Sequence, residues 1–79
     1  MKLWLISQTQ NNNYDTYDSA VVSAPDENSA KNLHPSERTE AWNCSRDWCD
    51  IPNDVTAVYL GEAPNITETK VILASFNAG

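Results

Sequence analysis

The chain is poor in glycine, in basic residues and in long apolar runs, and each shortage closes off a class of function. Its only glycines are Gly61 and Gly79, so it has no glycine-rich loop to cradle a phosphate. Five Lys and Arg stand against eleven Asp and Glu, a formal net charge of −6 that repels nucleic acid and anionic lipid and favours basic partners. The longest apolar stretch near the start, Leu3-Trp4-Leu5-Ile6, falls short of a signal-peptide core of roughly 7 to 15 residues and of a membrane span of about 20. The expectation is a cytoplasmic protein with no membrane partner and no direct contact with nucleic acid.

At 79 residues, with 41% apolar and 20% charged, the chain reads as a single domain over residues 1–79. So small a core leaves little stability for a buried polar site, which favours a binding module over an enzyme. Neither a catalytic residue nor a cofactor is expected.

Residues 2–7 carry apolar side chains on both faces of an extended chain, as an inner strand would. The polar run 8–14, with three consecutive asparagines, reads as a loop. Residues 17–24 alternate Ala20 and Val22 against Ser19, Val21 and Ser23, and are expected to pair antiparallel with the first strand. Ser23, Pro25, Asp26 and Glu27 carry the marks of a helix start, with Ser23 as the cap. Two to three turns are expected to follow, with Ala24, Ala30 and Leu33 facing inward and Pro35 as the stop.

The segment 36–54 is irregular, with a short strand expected near 39–42 and Trp42 and Trp48 as core anchors. Residues 55–60 and 70–76 are rich in β-branched and aromatic side chains and read as strands, joined as a hairpin through the long connection 61–69. The fold class expected is α+β, an antiparallel sheet of three to five strands packed by one main helix.

The acids are unevenly distributed. Asp15, Asp18, Asp26 and Glu27 fall between Lys2 and Lys31 with no base among them, and Asp47, Asp50, Asp54, Glu62 and Glu68 fall likewise between Arg46 and Lys70. If their loops converge, they make a surface of one sign that steers a cationic partner and weakens with salt. The bland reading is a solvated acidic face. Tyr14 and Tyr17, interleaved with Asp15 and Asp18, add rings able to stack on guanidinium groups, or else pack onto the sheet edge.

Weaker constellations complete the survey. His34, Cys44, Cys49 and Asp47 or Asp50 can be drawn as a zinc site, but one histidine and one cysteine pair fit the usual ligand spacing poorly, and thiols are expected instead. Ser36 lies two residues from His34, which by itself supplies neither an orienting group nor an oxyanion hole. The sequons at Asn43 and Asn65 read as chance matches in a chain without a secretory signal.

The blocks KLWLISQ at 2–8, NNNYDTYDSAVVSA at 11–24, His34-Pro35, VTAVYLGE at 55–62 and VILASFNAG at 71–79 resemble a family of small proteins met in bacteriophage and bacterial genomes. The match covers roughly half the chain and leaves 36–54 unmatched. It supplies no established catalytic residue, and it implies a phage or prophage setting. There, small acidic proteins are often inhibitors of host defence, and anti-CRISPR proteins frequently place carboxylates where phosphates bind.

The expectation that follows is a nonenzymatic inhibitor of anti-CRISPR type. It would bind a basic nucleic-acid-binding surface of a defence complex, such as a CRISPR effector subunit, by phosphate mimicry. Tyr14, Asp15, Tyr17, Asp18, Asp47, Asp50, Asp54, Glu62 and Glu68 would make the contacts. The alternative is a housekeeping or regulatory interaction domain using an apolar surface formed by Trp42, Trp48 or a sheet edge.

Overall fold

The structure, a computed structural model, describes residues 1–9, 16–36, 48–49 and 51–77. Its frame is a four-stranded antiparallel sheet of β1 (Lys2–Ser7), β2 (Thr16–Ala24), β3 (Thr56–Glu62) and β4 (Lys70–Asn77), in the order β3-β1-β2-β4. One short helix, α1 (Glu27–Lys31), and a 3₁₀ turn at Pro52–Asp54 are the other regular elements among the described residues. The molecule is thus mostly sheet and fits an α+β description only loosely.

β1 lies inside the sheet, as its two apolar faces require, and pairs with β2 through Trp4↔Val22, Leu5↔Val21 and Ile6↔Ala20. On one side of this hairpin sit Ile6, Ala20, Val22 and Ala24, all buried. Ala30 from α1 packs over them, together with Trp48, Cys49 and Val55, while Trp4, Tyr17, Leu33, Ala57, Val71 and Ala74 line the rim. The two largest fully buried side chains are Trp48 and Ile6.

The outer strands correct one expectation. β3 and β4 do not form a hairpin; they occupy opposite edges, β3 against β1 and β4 against β2. A β-branched run marks a strand without naming its neighbour. The seven residues 63–69 that join them can span roughly 23 Å, more than the roughly 14 Å across two intervening strands. This crossing is tied to the sheet's end. The Ala63 N–H donates to Met1 O at 2.7 Å, the Met1 amino group donates to Ala63 O and Ile66 O at 3.1 and 2.9 Å, and Ser23 Oγ donates to Glu68 O at 2.8 Å.

That last bond explains a second correction. Ser23 is the penultimate residue of β2, and its hydroxyl serves the crossing instead of capping the helix. The cap is Asp26, with extended backbone and a carboxylate that accepts from the Ser29 N–H at 2.7 Å. α1 runs for five residues rather than two to three turns, and it has left helical bonding at the Asn32 C-cap, before Pro35 acts. Ala30 and Leu33 do face inward, while Ala24 reaches the core from β2.

Trp48 is buried as expected of an anchor, and Cys49 is a buried thiol that donates to Ile51 O at 3.5 Å. The strand expected at 39–42, Trp42 and Cys44 lie outside the described residues. Among the described residues, no helix is long and apolar enough to cross a membrane.

Two measurements check this arrangement. Ile6→Ala should cost about 2–5 kcal/mol in urea unfolding, whereas Leu73→Ala, at a position 70% exposed, should stay within about 0.5 kcal/mol. The Ser29 N–H bond holds the Asp26 carboxyl below its ordinary value of 3.8. Its contribution to stability is therefore complete above that value and fades as pH falls through the lower folded value. Asp26→Asn should leave the melting temperature near pH 6 almost unchanged and flatten its decline below about pH 4.

Candidate functional site

The register of the sheet aligns side chains into rows on the face turned away from the core. Val58, Leu5, Val21 and Leu73 form one row, one residue from each strand, through the pairs Leu5↔Val58, Leu5↔Val21 and Val21↔Leu73. The neighbouring row is Thr56, Ser7, Ser19 and Ser75, through Ser7↔Thr56, Ser7↔Ser19 and Ser19↔Ser75. An aliphatic row thus runs beside a hydroxyl row, with no charge among the eight side chains.

Exposure agrees with an open face. Val58 and Leu73, on the edge strands, are 49% and 70% exposed, while the central Leu5 and Val21 are half-buried by their neighbours in the sheet. None of the four belongs to the buried cluster or its rim. The described charges lie elsewhere: at the strand ends, on α1, at the crossing and at the Asp18 irregularity of β2.

Both edge strands are irregular. Leu60 in β3 and Ile72 in β4 each fall at a register shift and have no partner in the ladder, and both are exposed. Such bulges twist an edge and spoil its template for another strand. The sheet edge of the alternative reading is therefore a poor docking line, and buried Trp48 cannot form part of a docking surface either.

The sequence-predicted site residues divide into several places. Glu62 ends β3 and Glu68 sits in the crossing, at the sheet end that also carries Lys2, Asp26 and Lys70. Asp18 and Asp54 lie toward the other end, so the described acids do not form one row. β3 alone separates Asp54 from Glu62 by about 20 Å of chain. Tyr17 is half-buried, its ring set edge-on to Phe76 at 4.8 Å and to His34 at 6.4 Å, as expected of a ring that packs onto the sheet edge. Tyr14, Asp15, Asp47 and Asp50 lie outside the described residues.

Some of the charge is satisfied internally. Lys70 Nζ approaches Glu68 Oε1 at 3.5 Å, an exposed pair of small energetic value. The Tyr59 hydroxyl donates to the Glu62 carboxylate, and this bond raises the Tyr59 pKa, with desolvation and the nearby negative charge adding to it. The Tyr59 ring stands edge-on to Trp4 at 5.5 Å, and Trp4 Nε1 donates to Ala24 O at 3.2 Å, so this acid belongs to a structural chain. An open groove of about 410 Å³ lies beside it, lined by Met1, Lys2, Pro25, Glu62, Pro64, Ile66 and Thr67. Met1, Pro25, Pro64 and Ile66 make most of its lining, and Lys2 and Glu62 bring side chains of opposite charge to it.

The Ser36 and His34 pair is in contact but local. His34 Nδ1 accepts the Ser36 backbone N–H at 3.1 Å and lies 2.8 Å from Ser36 Oγ, so this nitrogen serves as an acceptor closing a turn. The imidazole sits between the edges of Tyr17 and Trp48. Among the described residues, no three His, Cys, Asp or Glu side chains converge as metal ligands would.

The face with its two rows escaped the sequence reading. Alternation in β2 did separate Ser19, Val21 and Ser23 from the core residues, but alignment across four strands depends on the bulges, which the sequence does not announce. No family model, curated protein or solved structure matches the chain.

Glu62→Gln should lower the alkaline titration midpoint of Tyr59 toward that of an ordinary phenol, read as tyrosinate absorbance against a Tyr59→Phe control. An unchanged midpoint would show that the bond is not made in solution.

Proposed function

We propose that the protein is a nonenzymatic interaction domain that binds another protein surface through the outer sheet face. The observation that carries this reading is the aliphatic row Val58, Leu5, Val21 and Leu73, exposed at Val58 and Leu73 and flanked by an uncharged hydroxyl row. Burial of such a row is favourable, at roughly 25 cal/mol per Å² of apolar area removed from water, and the flanking hydroxyl row can exchange its hydrogen bonds with a partner or with water. The acids at the two ends of the sheet then act at the rim, discouraging acidic neighbours and steering basic ones.

A second reading keeps the acids in front: an anti-defence inhibitor of anti-CRISPR type that mimics phosphates on a basic nucleic-acid-binding surface. The net charge of −6 and the gathering of Asp26, Glu62 and Glu68 at one end of the sheet support it. Lys2 and Lys70 at that same end, and Asp18 and Asp54 toward the other, weigh against a continuous acidic row.

A photo-crosslinking amino acid placed at position 73 in living bacterial cells separates the two. The apolar-face reading expects a protein adduct from position 73 and none from position 27 on the helix. Adducts from positions 62 and 68 alone would replace it with the acidic reading. Absence of any adduct at position 73 overturns the apolar-face reading.

A further inference from the structure

We propose that residues 73–77 of β4 form a releasable strap along β2, and that the edge they uncover receives an extended, uncharged segment of another protein with basic flanks. The outer face is not involved, since the bonds concerned lie in the plane of the sheet.

β4 is the least fastened of the four strands. It has one neighbour, β2, and none of residues 70–76 is buried. The helix packs against β1, β2 and β3, while β4 reaches the buried cluster only at its rim, through Val71 and Ala74. The other edge strand is better held: β3 follows the buried Val55, takes the helix against it, and sets the Tyr59 ring edge-on to Trp4 at 5.5 Å. A segment with so little buried apolar area opens at a lower free energy than the whole domain unfolds.

Within β4 the fastening is uneven. Its start is tied where Ser23 Oγ donates to Glu68 O and Lys70 O at 2.8 and 3.4 Å. Ile72 then falls at the register shift, exposed and outside the ladder. Beyond it Leu73 is exposed, Ala74 lies opposite Ala20, and Phe76, itself 47% exposed, stands edge-on to Tyr17 at 4.8 Å. The bulge thus separates a tied start from an end whose side chains hold chiefly through one ring pair.

Release of that end bares backbone N–H and C=O groups of β2 along residues 16–21, a template for strand addition. The register states what fits: a small side chain opposite Ala20, where Ala74 sits, and an aromatic ring two places further on, where Phe76 meets Tyr17. Asp18, exposed at the irregularity of β2, and the net charge of −6 favour basic residues on the flanks of the incoming segment. A second copy brings the same negative charge and is disfavoured.

Native-state amide exchange of the full chain, in urea below its unfolding transition, reads the release directly. The β4 amides bonded to β2 should exchange through an opening that urea barely affects, while β1 amides should require global unfolding. Ile6→Val weakens the core, which stays formed when the strap opens, so it should speed β1 exchange about fivefold and leave the β4 amides unchanged. Acceptance is read by fluorescence anisotropy of a labelled peptide with the sequence of residues 70–77 flanked by added lysines. It should bind the full chain saturably, and about fivefold more tightly when the chain carries Phe76→Ala, because apparent affinity scales with the open fraction. A peptide of the same composition in scrambled order should not bind.

β4 amides that speed together with β1 in Ile6→Val show that the strap opens only with the whole domain, and overturn the proposal. Equal binding of the scrambled peptide, or an affinity unmoved by Phe76→Ala, overturns the acceptor edge. A dimer formed without peptide by exchange of β4 between copies overturns the foreign segment in favour of a second copy.

Discussion

The rest of the structure depends on burial on one side of the sheet. Trp48 and Ile6, the largest fully buried side chains, belong to one buried cluster with Ala20, Val22 and Ala24, and the short helix adds Ala30 to it. The small alanines of the floor leave room for the indole, and the indole supplies the area that a five-residue helix cannot. A sheet has two faces, and the helix, Trp48 and Cys49 cover one of them, while the other is covered at Ser23 and stays exposed at Val58 and Leu73. The exposed aliphatic row is the other side of that economy of chain.

This geometry sets the division of labour between apolar and charged groups. Asp26 works as a helix cap, Glu62 holds the Tyr59 hydroxyl, and Glu68 sits beside Lys70 while its carbonyl receives Ser23. Several acids that a reading of charge alone would assign to a partner are thus engaged in fastening the ends of the sheet. The uncharged rows lie between those ends.

Much of the fold was legible in local pattern. The doubly apolar 2–7 run reads as an inner strand, and the alternation in 17–24 gives both its strand character and its inward side chains, because side-chain period and burial speak directly to each other. The partners of β3 and β4 were not legible, since a run such as VTAVYL is compatible with any open edge and the crossing 63–69 has the composition of a hairpin loop. The helix start was misplaced by three residues because Ser23 and Asp26 are both good caps, and strand pairing claimed Ser23 first. The site fared worst. Nearness of acids along the chain does not gather them in space, and the rows of the outer face exist only once the register and its bulges are fixed.

The strand order also has a bearing on how the molecule assembles. β1 and β2 form a central ribbon from the earliest part of the chain, and each later strand adds to a different flank. A two-stranded ribbon is marginal in water, and it gains its cover only when Trp48 and then β3 arrive on one flank and β4 on the other. During synthesis the ribbon therefore waits with two open borders until the last eight-residue strand emerges, and the bulges that blunt the finished edges do not yet shield it. Vulnerability to misassembly is concentrated in that interval, and it ends when the crossing is fastened beneath Met1.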